Sequence, residues 1–487
     1  MKSWSAWALA ALATSAAGAA IDDCLAAASV PVDAKGGNDW NADVAPFNTR
    51  LQYTPAAIVV PKTIADIQAA VKCAAANKIK VSPKGGGHSY ASFGLGGENG
   101  HLVIELDRLN KVTVNSTTKV ATIQAGARLG HVFTELYKQG QRAISHGTCP
   151  GVGLAGHSLH GGFGFSSHTH GLALDWMVGA TVVLANATVV NCSATENADL
   201  FWALRGAGSS FGVVHTFYFN TFAAPPQTTA FQVNLPWSSA GDCANGWSAL
   251  QDWLSAGSMP AELNFRIFGS SYQTQIQGLY HGGQAALQTA MQPLLGKLGA
   301  SLSQVQQTDW VGGFAAYDNG DTVDASHPYN QHENFFSKSM ATTALPARAL
   351  QAVCGYWMNQ ARSNTRSWYI IIDMMGGKNA FIPSVASNAT SFAHRDKLFL
   401  YELYDRAIFG SFPSNGFSFL NGWADSFTQN LAANQWGMYI NYADPTMNRT
   451  YANQVYYGSS LPRLQQIKAA VDPTQVFDYP QAIAPAK

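Results

Sequence analysis

"ISHGTCPGVGLAGHSLHGGFGFSSHTHG", Ile144 to Gly171, decides how this chain is read. It contains a literal G-x-G-x-x-G at Gly151, Gly153 and Gly156, with Asp175 downstream. A nicotinamide-type fold needs an apolar strand before the first glycine and an amphipathic helix after the third. Here "SHGTCP" precedes, and "HSLHGGFGF" puts Gly161 and Gly162 into the first turns of the would-be helix. Each costs about 1 kcal/mol in a helix interior. The dinucleotide reading fails on context, and Asp175 is a coincidence. A metal site would draw on Cys149, His157, His160, His168 and His170. No carboxylate or second cysteine sits nearby, and glycine-rich backbone holds ligands poorly, so no metal is expected. His168 and His170 read as polar loop residues satisfied by the backbone. What remains is room: glycines let the backbone approach a flat or phosphorylated ligand closely.

A second such segment lies upstream. "AAIVVPKTIADIQAAVKCAAANKIKVSPKGGGHS" reads as a strand at Ile58 to Val60, a helix capped by Thr63, and a strand at Lys78 to Ser82. Ile67, Ala70, Val71 and Ala74 form the helix's apolar stripe. The unit then breaks at Gly85-Gly86-Gly87, a usual place for ligand phosphates. Each glycine segment carries one side chain able to form a covalent bond, His88 and Cys149.

The rest of the chain sets the frame. Its 487 residues suggest two domains, and 47% hydrophobic against 12% charged residues describe a well-buried globular protein. Formal net charge is zero, with no basic run to track nucleic acid or an anionic membrane. "MKSWSAWALAALATSAAGAA", residues 1–20, reads as a secretory signal peptide and predicts an extracellular product. Five N-x-S/T sequons, at Asn115, Asn186, Asn191, Asn388 and Asn448, agree with that compartment. Of six cysteines, Cys24 and Cys73 are the best-placed disulfide pair. If Cys149 is used chemically, Cys192, Cys243 and Cys354 remain, with one thiol left over. Residues 21–222 read as one α+β domain and "AAPPQ" (Ala223 to Gln227) as a linker. Residues 223–430 read as an antiparallel sheet with helices, and 431–487 as a closing segment.

"PKGGGHSY" together with "HGTCPGVGLAGHSLHGGFG" resembles the vanillyl-alcohol-oxidase-type (PCMH) flavoproteins. More narrowly, the chain is similar to the berberine-bridge-like branch with doubly attached FAD, and within it to secreted fungal oxidases of gluco-, xylo- or chito-oligosaccharides. "MYINYADP" and the terminal "YYGSSLPRLQQIKAAVDPTQVFDYPQAI" extend the likeness to the C-terminus. The resemblance implies a two-domain FAD-binding fold with an antiparallel-sheet substrate domain, 431–487 returning to the FAD domain. It implies FAD bonded to His88 at the 8α carbon and to Cys149 at ring carbon C6. Lys84, Gly85, Gly86, Gly87 and Ser89 would cradle the pyrophosphate. Gly147, Thr148, Val152, Gly153, Gly156, His157, Gly161 and Gly162 would line the flavin, with Val213 in a strand near the adenine. Val152, small and three residues past Cys149, would leave room for O2.

Oxidising a sugar hydroxyl needs a base for the O–H proton and an acceptor for the hydride. The resemblance makes Tyr442, in "YINYAD", the base and Asp373, in "WYIIIDMMGG", its hydrogen-bond partner. Read as a strand, "YINYAD" puts Tyr442 with Ile440 on one face and Tyr439 with Asn441 on the other. A phenol titrates near 10 and is a poor base near neutrality without help. Pyranose faces stack on aromatic rings. Trp368, Tyr369, Tyr401 and Tyr404 lie on strands that would face the flavin; Tyr90, Trp368 and Glu402 are the substrate-contact candidates. The function expected is conversion of the C1 hydroxyl of an oligosaccharide reducing end to a lactone, with O2 reduced to H2O2, by a monomer. An oxidase of alkaloids or polyketides with the same fold, and a sugar-binding protein keeping a structural flavin, are the alternatives.

Overall fold

Thr63 starts the first long helix as expected. Its side chain accepts from the Asp66 backbone N–H while Asp66 returns the bond, a reciprocal cap worth about 1 kcal/mol on the helix Ile64–Ala76. The computed structural model describes residues 20–318 and 331–487. The expected signal peptide, save its last residue, lies outside the described residues. The flanking strands are Ala57–Val59 and Val81–Lys84. The second starts three residues later than expected. Lys78 takes a left-handed conformation (φ 56°) and the Ile79 N–H returns to the Ala74 carbonyl, so this stretch closes the helix instead.

Besides one two-stranded ribbon, three sheets organise the described residues. Leu102–Glu105 lies between Ala57–Val59 and Val81–Lys84, parallel to both, and Val81–Lys84 runs directly into the Gly85-Gly86-Gly87 loop. A five-stranded antiparallel sheet follows, in the order Val112–Val114, Val120–Gln124, Val213–Asn220, Met177–Val183, Val189–Ser193. The last two strands form the hairpin expected around Ala185-Asn186.

The third sheet has eight antiparallel strands. Leu263–Ser270, Ser367–Met374, Phe399–Arg406 and Phe335–Thr342 are neighbours at its centre. Its residues alternate between two faces. One packs on the helices Ala240–Ser255, Ala347–Gly355 and Ser414–Thr428 around Trp247, Trp357 and Trp423, all fully buried. The other face looks toward the glycine loops. Cys243 and Cys354 are disulfide-bonded and join two of those helices; Cys24 pairs with Cys73 as expected. Cys192 is the leftover thiol, buried, its pKa pushed up to about 12 by burial.

The C-terminal segment returns to the glycine-loop side. The Val81 N–H bonds the Val476 carbonyl, and Lys468 Nζ donates to the carbonyls of Ser210 and Phe477. Among the described residues, no helix is long and apolar enough to cross a membrane.

Candidate active site

A cavity of about 670 Å³ lies between the glycine loops and the open face of the eight-stranded sheet. Its two ends are built differently. At one end the wall is backbone. Gly85, Gly86, Gly87, Gly147, Gly153 and Gly156 all line it. The two loops touch main chain to main chain: a Cβ on Gly86 would lie 2.2 Å from the Gly153 nitrogen. A Cβ on Gly156 would meet nothing within 4 Å, because that position opens into the cavity. His88 Nε2 and Cys149 Sγ converge to 3.7 Å, and Phe47 stacks on the His88 ring at 3.7 Å. Burial pushes the His88 pKa down to about 3, so its imidazole is neutral. His157 Nε2 accepts the Gly147 N–H at 2.9 Å, and burial likewise lowers this ring to about 3.

Thr148, Val152 and Ser89 line the same end. Lys84 lines it as well, but its ammonium turns away to Glu105 and Asp43. Three expectations are corrected here. Val213 points into the core, fully buried, while its neighbours Gly212 and Val214 line the cavity, as strand alternation requires. Gly161 and Gly162 stand behind the wall. A Cβ on Gly161 would press on the Tyr439 ring at 2.8 Å, and the Gly162 N–H donates to the Tyr439 hydroxyl at 2.9 Å. His170 is not satisfied by backbone: its ring stacks on Phe222 at 3.8 Å, while His168 Nδ1 does reach the Ala261 carbonyl at 3.4 Å.

At the other end the wall is side chains on strands. Asp373, Ile371 and Tyr369 alternate along Ser367–Met374; Glu402, Tyr404 and Arg406 along Phe399–Arg406; Arg266 and Phe268 along Leu263–Ser270. Arg266 is paired across the sheet with Asp373, and Glu402 with Ile371. Glu402 Oε1 accepts from the hydroxyls of Tyr90 (2.8 Å) and Tyr369 (2.9 Å). Tyr404 donates to Glu333, which also pairs with Arg406. Tyr90 stacks on Tyr442 with ring centres 5.6 Å apart.

Tyr442 and Asp373 both line the cavity, but "YINYAD" is not a strand. Ile440–Tyr442 is a single 3-10 turn, so Ile440, Asn441 and Tyr442 all reach the cavity while Tyr439 packs behind. Asn441 holds the turn by donating to the His157 carbonyl and the Tyr439 hydroxyl. Asp373 acts on Tyr442 through its field; no hydrogen bond joins the two among the described residues. Burial, then the charges of Glu402 and Asp373, raise the Tyr442 phenol well above its usual range. Burial raises Asp373 to about 7, with Arg266 pulling it down and Glu402 pushing it up.

Trp368 is corrected outright. It points to the opposite face, 4% exposed, against Trp423 and Phe419. Tyr401 does the same, against Trp247 and Phe427. Asp373 and Trp368 are five residues apart on one strand, so they cannot share a face. Counting in twos from Asp373 finds Ile371 and Tyr369. Arg266, Phe268, Glu333 and Phe47 lie in stretches with no local motif.

Residues 55–193 match the family model described as an FAD binding domain, and residues 438–484 that described as berberine and berberine like. A xylooligosaccharide oxidase from Thermothelomyces thermophilus is 57% identical over 96% of this chain and 95% of its own. A solved xylooligosaccharide oxidase in complex with xylobiose, from Myceliophthora thermophila, superposes with a TM-score of 0.95, covering 96% of this chain and all of that one. A solved glucooligosaccharide oxidase from Acremonium strictum, 42% identical with a TM-score of 0.93, covers 96% of this chain and 99% of its own. It carries a 6-S-cysteinyl, 8α-N1-histidyl FAD. The chain belongs to the berberine-bridge-like family of FAD-dependent oxidoreductases. The backbone-walled end of the cavity fits that cofactor, since its glycines leave space that side chains would fill.

Proposed function

We propose that this protein is a secreted FAD-dependent carbohydrate oxidase that converts the C1 hydroxyl of an oligosaccharide reducing end to a lactone. Residues 21–222 and the returning segment 431–487 hold the FAD, and 223–430 supply the sugar end. The observation that carries this reading is the facing of two unlike walls across one cavity. His88 and Cys149 converge at one end, and a tyrosine–carboxylate cluster stands at the other. FAD attached through His88 and Cys149 would supply the acceptor for the C1 hydride, with O2 as the terminal electron acceptor. The balance is aldose plus O2 giving lactone plus H2O2; the lactone then hydrolyses to the aldonic acid.

The protein's own groups handle the proton and the pose. Tyr442 is protonated at rest, because burial and two carboxylates hold its phenol high. It takes the C1 hydroxyl proton as its own leaves. Asp373, titrating at about 7, is the group of the cluster that accepts a proton near neutrality, and Arg266 opposite favours its ionised form. Tyr90 and Tyr369 fix Glu402 through one oxygen, which leaves Oε2 for a sugar hydroxyl. Their rings and those of Phe268 and Tyr404 give the apolar flanks that C–H-rich pyranose faces need.

The five sequon asparagines are all exposed, consistent with glycosylation during secretion. The test is peroxide formation by purified protein with cellobiose, xylobiose, chitobiose and maltose. Peroxide with at least one aldose is the expected result; none with any of them sinks the proposal.

A further inference from the structure

We infer that Arg128 is a positioning residue for flavin attachment: it clamps the two glycine loops so that His88 and Cys149 face the same ligand. This rests on the reading that the flavin is bonded to both. Arg128 Nη1 donates to the Gly86 carbonyl and to the Gly151 carbonyl, the latter at 3.1 Å. Gly86 lies two residues before His88, and Gly151 two residues after Cys149. One guanidinium nitrogen therefore ties both loops at the same short distance from their reactive side chains.

The backbone on either side of Arg128 holds the Cys149 loop. Leu129 N–H bonds the Val152 carbonyl, Gly130 N–H the Pro150 carbonyl, and Leu154 N–H the Ala127 carbonyl. Arg128 itself bridges Gly153. The His88 loop joins this frame through the Arg128 side chain and the close contact of Gly86 with Gly153, while Phe47 stacks on the His88 ring and Asn48 donates to the Tyr90 carbonyl. Arg128 is only 8% exposed, so its donors depend on these protein acceptors. Its charge also opposes protonation of His88, adding to the effect of burial. A neutral imidazole nitrogen is the form that can bond to carbon.

Each attachment replaces one flavin C–H and one protein N–H or S–H by a C–N or C–S bond. The two hydrogens and their electrons leave to O2, giving one H2O2 per bond. Nothing in this step asks Arg128 to react; it holds the loops while they do.

The test compares wild type, Arg128→Gln and Arg128→Lys. Each is acid-precipitated, the flavin in pellet and supernatant is measured, and the His88 and Cys149 peptides are weighed for attached flavin. Total flavin and the melting curve are recorded on the native proteins. Wild type is expected to keep all its flavin in the pellet. Arg128→Gln is expected to bind flavin but to lose one or both linkages in most molecules. Arg128→Lys, which keeps the charge but not the fork, is expected to fall between. If Arg128→Gln is not recovered folded, loss of linkage in folded Arg128→Lys carries the same expectation. Full double attachment in the folded variants overturns the inference, and so does loss of all bound flavin, which marks a structural brace. Release of flavin from wild type would instead overturn the covalent reading on which this rests.

Discussion

The two ends of the cavity solve different problems with different parts of the chain. The glycine end is made of main chain, and the sheet end of side chains on alternate strand positions. At the first, a flat ligand must come close, so the fold removes side chains. At the second, a proton must move and a pose be held, so the fold presents ionisable and aromatic groups. The histidines at the glycine end are held neutral by burial, whereas Asp373 at the sheet end is raised into the physiological range. The difference separates holding from reacting, and substitutions should separate them too.

The largest effect on flavin binding is expected from Gly86→Ala. The new methyl would stand 2.2 Å from the Gly153 nitrogen, where backbone must move. Overpacking of this kind costs about 1–3 kcal/mol or more. The melting temperature should drop and flavin content should fall with it. Tyr442→Phe should do the opposite: flavin content and melting unchanged, and kcat lower by roughly 10²–10⁴, the usual contribution of acid–base catalysis. A Tyr442→Phe enzyme with near wild-type kcat would move the base elsewhere.

Asp373→Asn tests the proton acceptor. Wild-type kcat/KM is expected to rise between about pH 6 and pH 8 as Asp373 ionises around 7. The Asn variant should be slower and lack that rise. Its stability carries a second sign. The folded pKa of Asp373 lies above the unfolded value of 3.8, so folding favours the protonated form and wild type loses stability as pH rises through about 7. Asp373→Asn should therefore melt higher than wild type at pH 8, by a margin that narrows as pH falls and closes near pH 4. The smallest effect on turnover is expected from Trp368→Ala. This residue faces the helices, so the variant should lose about 3–5 kcal/mol of stability with KM unchanged. Tyr369→Phe, one residue on, should raise KM with little loss of stability, since it releases one hydrogen bond to Glu402.

The glycine end was largely legible because its information is local. "PKGGGHSY" and "HGTCPGVG" each put a reactive residue beside its own cradle, and the structure adds only that the two cradles touch. Two features there are not local: strand alternation turns Val213 into the core, and Gly161 and Gly162, though part of a glycine-rich run, pack against Tyr439 instead of facing the ligand. The sheet end was legible only in part. Asp373 and Glu402 stand out as acids in apolar strands, but which aromatic joins them depends on parity, and Trp368 fails that test. Arg266, on a strand, and Glu333, just ahead of one, arrive from segments distant in sequence, so nothing local marks them. Tyr442 reached the site by a turn and not by the strand its alternation suggested.

The most direct measurement of the central claim is anaerobic mixing of the purified protein with xylobiose or cellobiose while the flavin absorbance is followed. Bleaching in wild type, its loss in Tyr442→Phe with the flavin still attached, and recovery of colour on admitting O2 are the predicted results. A flavin that stays oxidised with every aldose tried, or that bleaches equally fast without Tyr442, would contradict the account.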